Sequence, residues 1–86
     1  MIKVEVLSTP GCGECAKVRE RLKAIAEAMG HDKIIWRDIN ILDEMDYAVA
    51  LGVMSVPAVA IDGRLAFSSP PSADTLRAEL TKRLSA

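Results

Sequence analysis

Apolar and polar positions alternate from the start of the chain. Ile2-Lys3-Val4-Glu5-Val6-Leu7 reads as a strand, left through the loop Ser8-Thr9-Pro10-Gly11. The period then changes. Cys15, Val18, Leu22, Ile25 and Met29 follow at steps of three and four, which is one stripe of a helix, and Gly30 stands where a helical cap belongs. Ile34 to Ile39 is β-branched and apolar enough for a second strand. Leu42 to Leu51 carries a shorter helical pattern, with Asp43 and Glu44 near its start and Gly52 past its end. Pro57 to Ile61 and Arg64 to Phe67 flank Asp62-Gly63, the pair favoured in a two-residue type I′ hairpin turn. After the loop Ser68-Ser69-Pro70-Pro71, Ser72 suits an N-cap, and Leu76, Leu80 and Leu84 form the apolar face of a last helix.

The predicted order is β-α-β-α-β-β-α, an α/β fold in which three helices flank a four-stranded mixed sheet. Two strands joined through a helix should be parallel, with a right-handed crossover. Residues 1–86 are expected to form one domain, without repeats or linkers. Trp36, Tyr47 and Phe67 are the only aromatic residues, so the core must come from aliphatic side chains, with Met29, Met45 and Met54 assigned to it. Trp36 reads as a packed strand residue and His31 as a surface loop residue.

Charge and hydropathy narrow the function. The net charge is −1, with both signs interspersed and no basic stripe, which excludes a nucleic-acid partner. No apolar run reaches the 18 or so residues of a membrane span. Met1 runs directly into the first strand, leaving no room for a signal peptide, so the expected location is cytoplasmic. There, a C-x-x-C pair is redox-active or metal-binding rather than a structural staple.

That pair is Cys12-Gly13-Glu14-Cys15, placed between a strand and a helix. The spacing brings the two Cα atoms to roughly 5–6 Å, within disulfide range. Cys15 continues the buried stripe. Cys12 lies at the open first turn, where unpaired N–H groups and the helix dipole stabilise a thiolate. Cys12 is therefore the candidate nucleophile and Cys15 the resolving thiol. Gly13 leaves the approach to Cys12 unobstructed. Glu14 suits a helix start, yet its charge opposes a thiolate nearby. Pro57 opens the third strand, a place where proline is tolerated. Since only about 5–6% of X–Pro bonds in folded proteins are cis, local physics predicts trans.

Taken together, the C-x-x-C pair, Gly52-Val53-Met54-Ser55-Val56-Pro57-Ala58, the Asp62-Gly63 hairpin and the terminal helix resemble the thioredoxin superfamily, in particular its small glutaredoxin-like redox-active disulfide proteins. The resemblance covers nearly the whole chain. It implies a cis Pro57 packed against the disulfide, and a Val56 backbone that offers strand-like hydrogen bonds to an extended substrate. It also implies a monomeric dithiol–disulfide oxidoreductase that works without a cofactor or metal on protein disulfides, recharged by a reductase. The chain departs from the pattern in places. Gly11 and Gly13-Glu14 stand where thioredoxins carry Trp and Gly-Pro, and Val6 stands at the position of their buried aspartate. Thr9 and residues 67–71 stand where glutaredoxins carry the residues that hold glutathione, so the usual grips for glutathione are missing and its use stays open.

The alternative is a Cu(I) carrier, since thiolate pairs select soft metals. Such carriers follow a β-α-β-β-α-β order, unlike the order predicted here. Zinc would need four ligands, which two cysteines and a distant His31 do not provide.

Overall fold

The computed structural model describes residues 2–30 and 32–84. Its elements are β1 (Ile2–Ser8), α1 (Gly13–Met29), β2 (Ile34–Asn40), α2 (Met45–Leu51), β3 (Ala58–Ile61), β4 (Arg64–Phe67) and α3 (Ala73–Leu84), in the predicted order. The sheet runs β2-β1-β3-β4. β1 is parallel to β2 and antiparallel to β3, and β3 is antiparallel to β4. The expectation for His31 lies outside the described residues.

β1 is an interior strand covered on both faces, and that explains its burial. Ile2, Val4 and Val6 point into a cluster with Val18, Leu22 and Ala26 of α1 and with Leu76 and Leu80 of α3. Leu7, on the opposite parity, joins Ile39, Ala48, Ala58 and Ala60 beneath α2. Helices thus lie on both sides of the sheet. Full burial of a leucine or valine side chain contributes about 1.5–3 kcal/mol, so the aliphatic layer under α1 and α3 is the main source of stability.

Local chemistry sets the boundaries. Gly30 ends α1 at φ 109°, and its N–H donates to the Glu27 carbonyl. Asp62 and Gly63 both have positive φ (52° and 80°), as a type I′ turn requires. The Asp62 carboxylate accepts the Lys3 N–H at 2.9 Å, which ties the hairpin tip back to β1. The Ser72 hydroxyl accepts the Thr75 N–H at 3.1 Å and so caps α3.

Two expectations need correction. α2 begins at Met45, not Leu42. Asn40 is the reason: its side chain accepts the Leu42 N–H, and its carbonyl accepts the N–H groups of Asp43 and Glu44, which winds 41–44 into a turn. The methionines also divide. Met29 packs at the edge of the core, whereas Met45 is 55% exposed and Met54 98% exposed. Among the described residues no helix is long and apolar enough to cross a membrane.

Candidate functional site

The end of β1 and the start of α1 build the site. Gly11, at φ 81°, makes the turn that few other residues adopt. The Cys12 N–H donates to the Thr9 carbonyl at 3.4 Å. Cys12 is the N-cap of α1, and its sulfur accepts the Cys15 N–H at 3.2 Å. The two cysteines are joined in a disulfide with a Cα separation of 5.3 Å, inside the predicted range. Cys15 is 2% exposed, while Cys12 is half-buried at the rim. One cysteine of the pair is thus partly open to solvent and the other is closed.

The flanking positions are open. A side chain at Gly13 would meet nothing within 4 Å, and Glu14 is exposed in the first helical turn. The Val56–Pro57 bond is cis, as the family resemblance implies and local physics does not. Pro57 is buried and Val56 half-buried just before β3, which begins one residue later than expected, at Ala58. Proline has no N–H to donate to the ladder. The Ser55 hydroxyl donates to the Ser68 carbonyl at 3.4 Å, linking this loop to the one after β4. No group of three or more metal-ligating side chains lies together among the described residues.

A second polar centre escaped sequence reasoning. Glu5 is fully buried in β1. It pairs across the parallel ladder with Arg37 of β2, whose guanidinium reaches its carboxylate at 3.1 Å. Arg37 also binds Glu44 at 3.2 Å, and the Tyr47 hydroxyl, from α2, donates to the second Glu5 oxygen. The hydrogen bond to Glu5, then burial and the Glu5 charge, push the Tyr47 phenol up to about 12, with Arg37 opposing. Tyr47 is the only tyrosine, so a spectroscopic phenolate titration reads it alone. Its midpoint is expected near 12 and should fall toward the ordinary value of 10 in Glu5→Gln. The folded chain holds this proton where the unfolded chain has released it. The contribution of Tyr47 to stability is therefore complete below pH 10 and is lost as pH rises toward 12. A native midpoint near 10 would show that the phenol faces water.

Residues 2–81 match the family model described as a thioredoxin domain. The chain belongs to the thioredoxin family. The thioredoxin of Methanocaldococcus jannaschii is 28% identical over 83 residues, 96% of each chain. A probable thioredoxin of Methanothermobacter thermautotrophicus is 33% identical over 76 residues, 88% of each chain. Among solved structures, chloroplastic thioredoxin z superposes with a TM-score of 0.82 at 14% identity, over 100% of this chain and 80% of that one. A mutant thioredoxin from Halobacterium salinarum gives 0.77 at 20% identity, over 94% and 73%. At those identities the structures speak to the thioredoxin fold alone. Membership in the thioredoxin family, with a cysteine pair at disulfide distance, makes the chain a thiol–disulfide oxidoreductase in general terms.

Proposed function

We propose that the chain reduces protein disulfides through Cys12 and Cys15. The Cys12 thiolate attacks a target sulfur, forming a mixed disulfide and expelling the first target thiolate. The Cys15 thiolate then attacks the Cys12 sulfur. The second target thiolate leaves, two electrons have passed to the target, and the Cys12–Cys15 disulfide remains. A separate reductase returns it to the dithiol. Val56 and Pro57 would receive the target backbone, and Gly13 would leave room for it. The observation that carries this reading is the unequal exposure of the two bonded cysteines at a helix N-terminus, Cys12 half-buried at the rim and Cys15 at 2%.

The Cu(I)-carrier alternative has less support, because two helix–strand alternations precede the hairpin and the chain closes on a helix. Glutathione also has little support, since Thr9 and residues 67–71 lack the charged groups glutaredoxins use to hold it.

The test is a redox titration in a thiol–disulfide buffer, counting thiols on the purified chain and assaying bound copper. Two thiols should appear and disappear together, without metal. The potential should fall in the reducing half of the roughly −270 to −120 mV span of dithiol proteins. The reason is that Glu14, in the first turn of α1, disfavours the thiolate whose stabilisation makes strong oxidants. A value near the oxidising end of that span would refute that reasoning. Copper bound in place of disulfide cycling would refute the function.

A further inference from the structure

We propose that the outer side of α2 and the segments on either side of it, from Leu42 to Met54, form a docking surface for a protein disulfide whose cysteine lies among apolar and basic residues. The proposal rests on the redox reading of Cys12 and Cys15 and specifies which substrates that pair meets.

The first observation is a concentration of exposed apolar surface. Among the described residues, five large apolar side chains are exposed: Ile35, Leu42, Met45, Val49 and Met54. Four of the five fall within this single connection. Ala48 is buried, and Tyr47 and Leu51 pack on the cluster beneath α2, so that side of the helix is spent on the sheet. Met45 and Val49 are four apart, hence adjacent on the helix surface, and are 55% and 71% exposed. Leu42, in the turn leading into α2, is 59% exposed, and Met54 is 98% exposed three residues before Pro57. The exposed apolar side chains thus lead along the connection into the cis-proline loop. Such a concentration on a small domain marks an interaction surface, and methionine suits one that must adapt to several partners.

The second observation is charge. No Lys, Arg or His occurs between Asp38 and Arg64. Asp43 and Asp46 are exposed, and no ion pair engages either among the described residues. Arg37, the cation that reaches this connection through Glu44, is held by Glu5 and Glu44. Glu14 adds a further exposed carboxylate beside the disulfide. The stripe is therefore apolar with an acidic border. Its complement is an apolar segment bordered by lysine or arginine, which would be steered to the site and held in register. A second copy placed face to face would bring Asp43 and Asp46 against themselves. An anionic membrane would be repelled.

The experiment uses the reduced full chain in single-turnover reduction of two peptide disulfides of matched length. One carries leucine and lysine around its cysteine, the other leucine and glutamate. At low salt the lysine peptide should react about tenfold faster, by steering. Added salt should shrink that ratio through screening. Asp43→Asn with Asp46→Asn should shrink it several-fold at low salt. Met45→Ser with Val49→Ser should slow both peptides; these side chains are already exposed, so serine opens no cavity. Equal rates for the two peptides would overturn the proposal, as would a ratio that the asparagine pair leaves unchanged. A concentration-dependent dimer in sedimentation, dissolved by Val49→Ser, would assign the stripe to a second copy and also overturn it. Hydroxyethyl disulfide, small and neutral, separates the two levels. If the native chain fails to reduce it, the redox reading fails. If it is reduced while the peptides react equally, the docking surface alone fails.

Discussion

Cys15→Ser should turn the chain into a trap that accumulates mixed disulfides with its targets, while Cys12→Ser should accumulate almost none. The asymmetry follows from exposure. Cys12 sits at the rim, and its sulfur lies at the N-terminus of α1, where backbone N–H groups and the dipole favour a thiolate. Cys15 is 2% exposed and serves only a sulfur already brought to Cys12. Without Cys15 the first attack proceeds and the second cannot. Without Cys12 no target sulfur comes within reach. Both variants should lose catalytic turnover, but only Cys15→Ser should give adducts on non-reducing gels that a small dithiol releases. Alkylation of the reduced native chain near neutral pH should label Cys12 first, and Glu14→Gln should speed it by removing a charge that opposes the thiolate. Equal trapping by both variants, or first labelling of Cys15, would reverse the assignment.

Within the buried polar centre, the largest effect on stability is expected at Arg37, although its side chain is 45% exposed. Arg37→Ala leaves the fully buried Glu5 carboxylate without its cation, and breaking a buried pair from one side costs about 3–5 kcal/mol. The partial exposure of Arg37 places this case at the lower end. For a domain of this size about 3 kcal/mol lowers Tm by at least roughly 12 °C. Tyr47→Phe removes one donor and should cost about 1–2 kcal/mol. Glu5→Leu should be milder than Arg37→Ala, because it removes the buried charge instead of stranding it, while Arg37 keeps Glu44 and water. Denaturant unfolding of the three variants checks the order. If Glu5→Leu proves the most damaging, the carboxylate contributes more than the balance between its burial and its pairing allows.

The parts of this molecule set by neighbours in the chain were readable in advance. The stripe Cys15-Val18-Leu22-Ile25, the Asp62-Gly63 turn and the Ser72 cap each depend on residues a few positions apart, and each is where the sequence puts it. The cysteine pair was legible for the same reason. The start of α2 was not, because Asn40 diverts the backbone into a turn before the helical pattern can begin. Glu5 was missed because the alternation Lys3-Val4-Glu5 reads as a strand with one wet face. Only the sheet order, with β1 inside and α2 above it, reveals that this face is covered. Its partners Arg37 and Tyr47 lie 32 and 42 residues away. The cis bond before Pro57 was implied by family resemblance and contradicted by local odds, since nothing in Val56-Pro57 itself specifies it.

The buried carboxylate also specifies how β1 must lie. A strand that slides by one residue exchanges its two faces. In β1 that error would turn Glu5 away from Arg37 and Tyr47 and into the aliphatic layer of Val18, Leu22 and Leu76. The misaligned sheet would then carry an unpaired charge in its driest layer, at a cost of several kcal/mol. A β1 of uniformly aliphatic residues would meet no such penalty and could pair in either phase. Glu5 thus makes the two phases of the central strand unequal in energy.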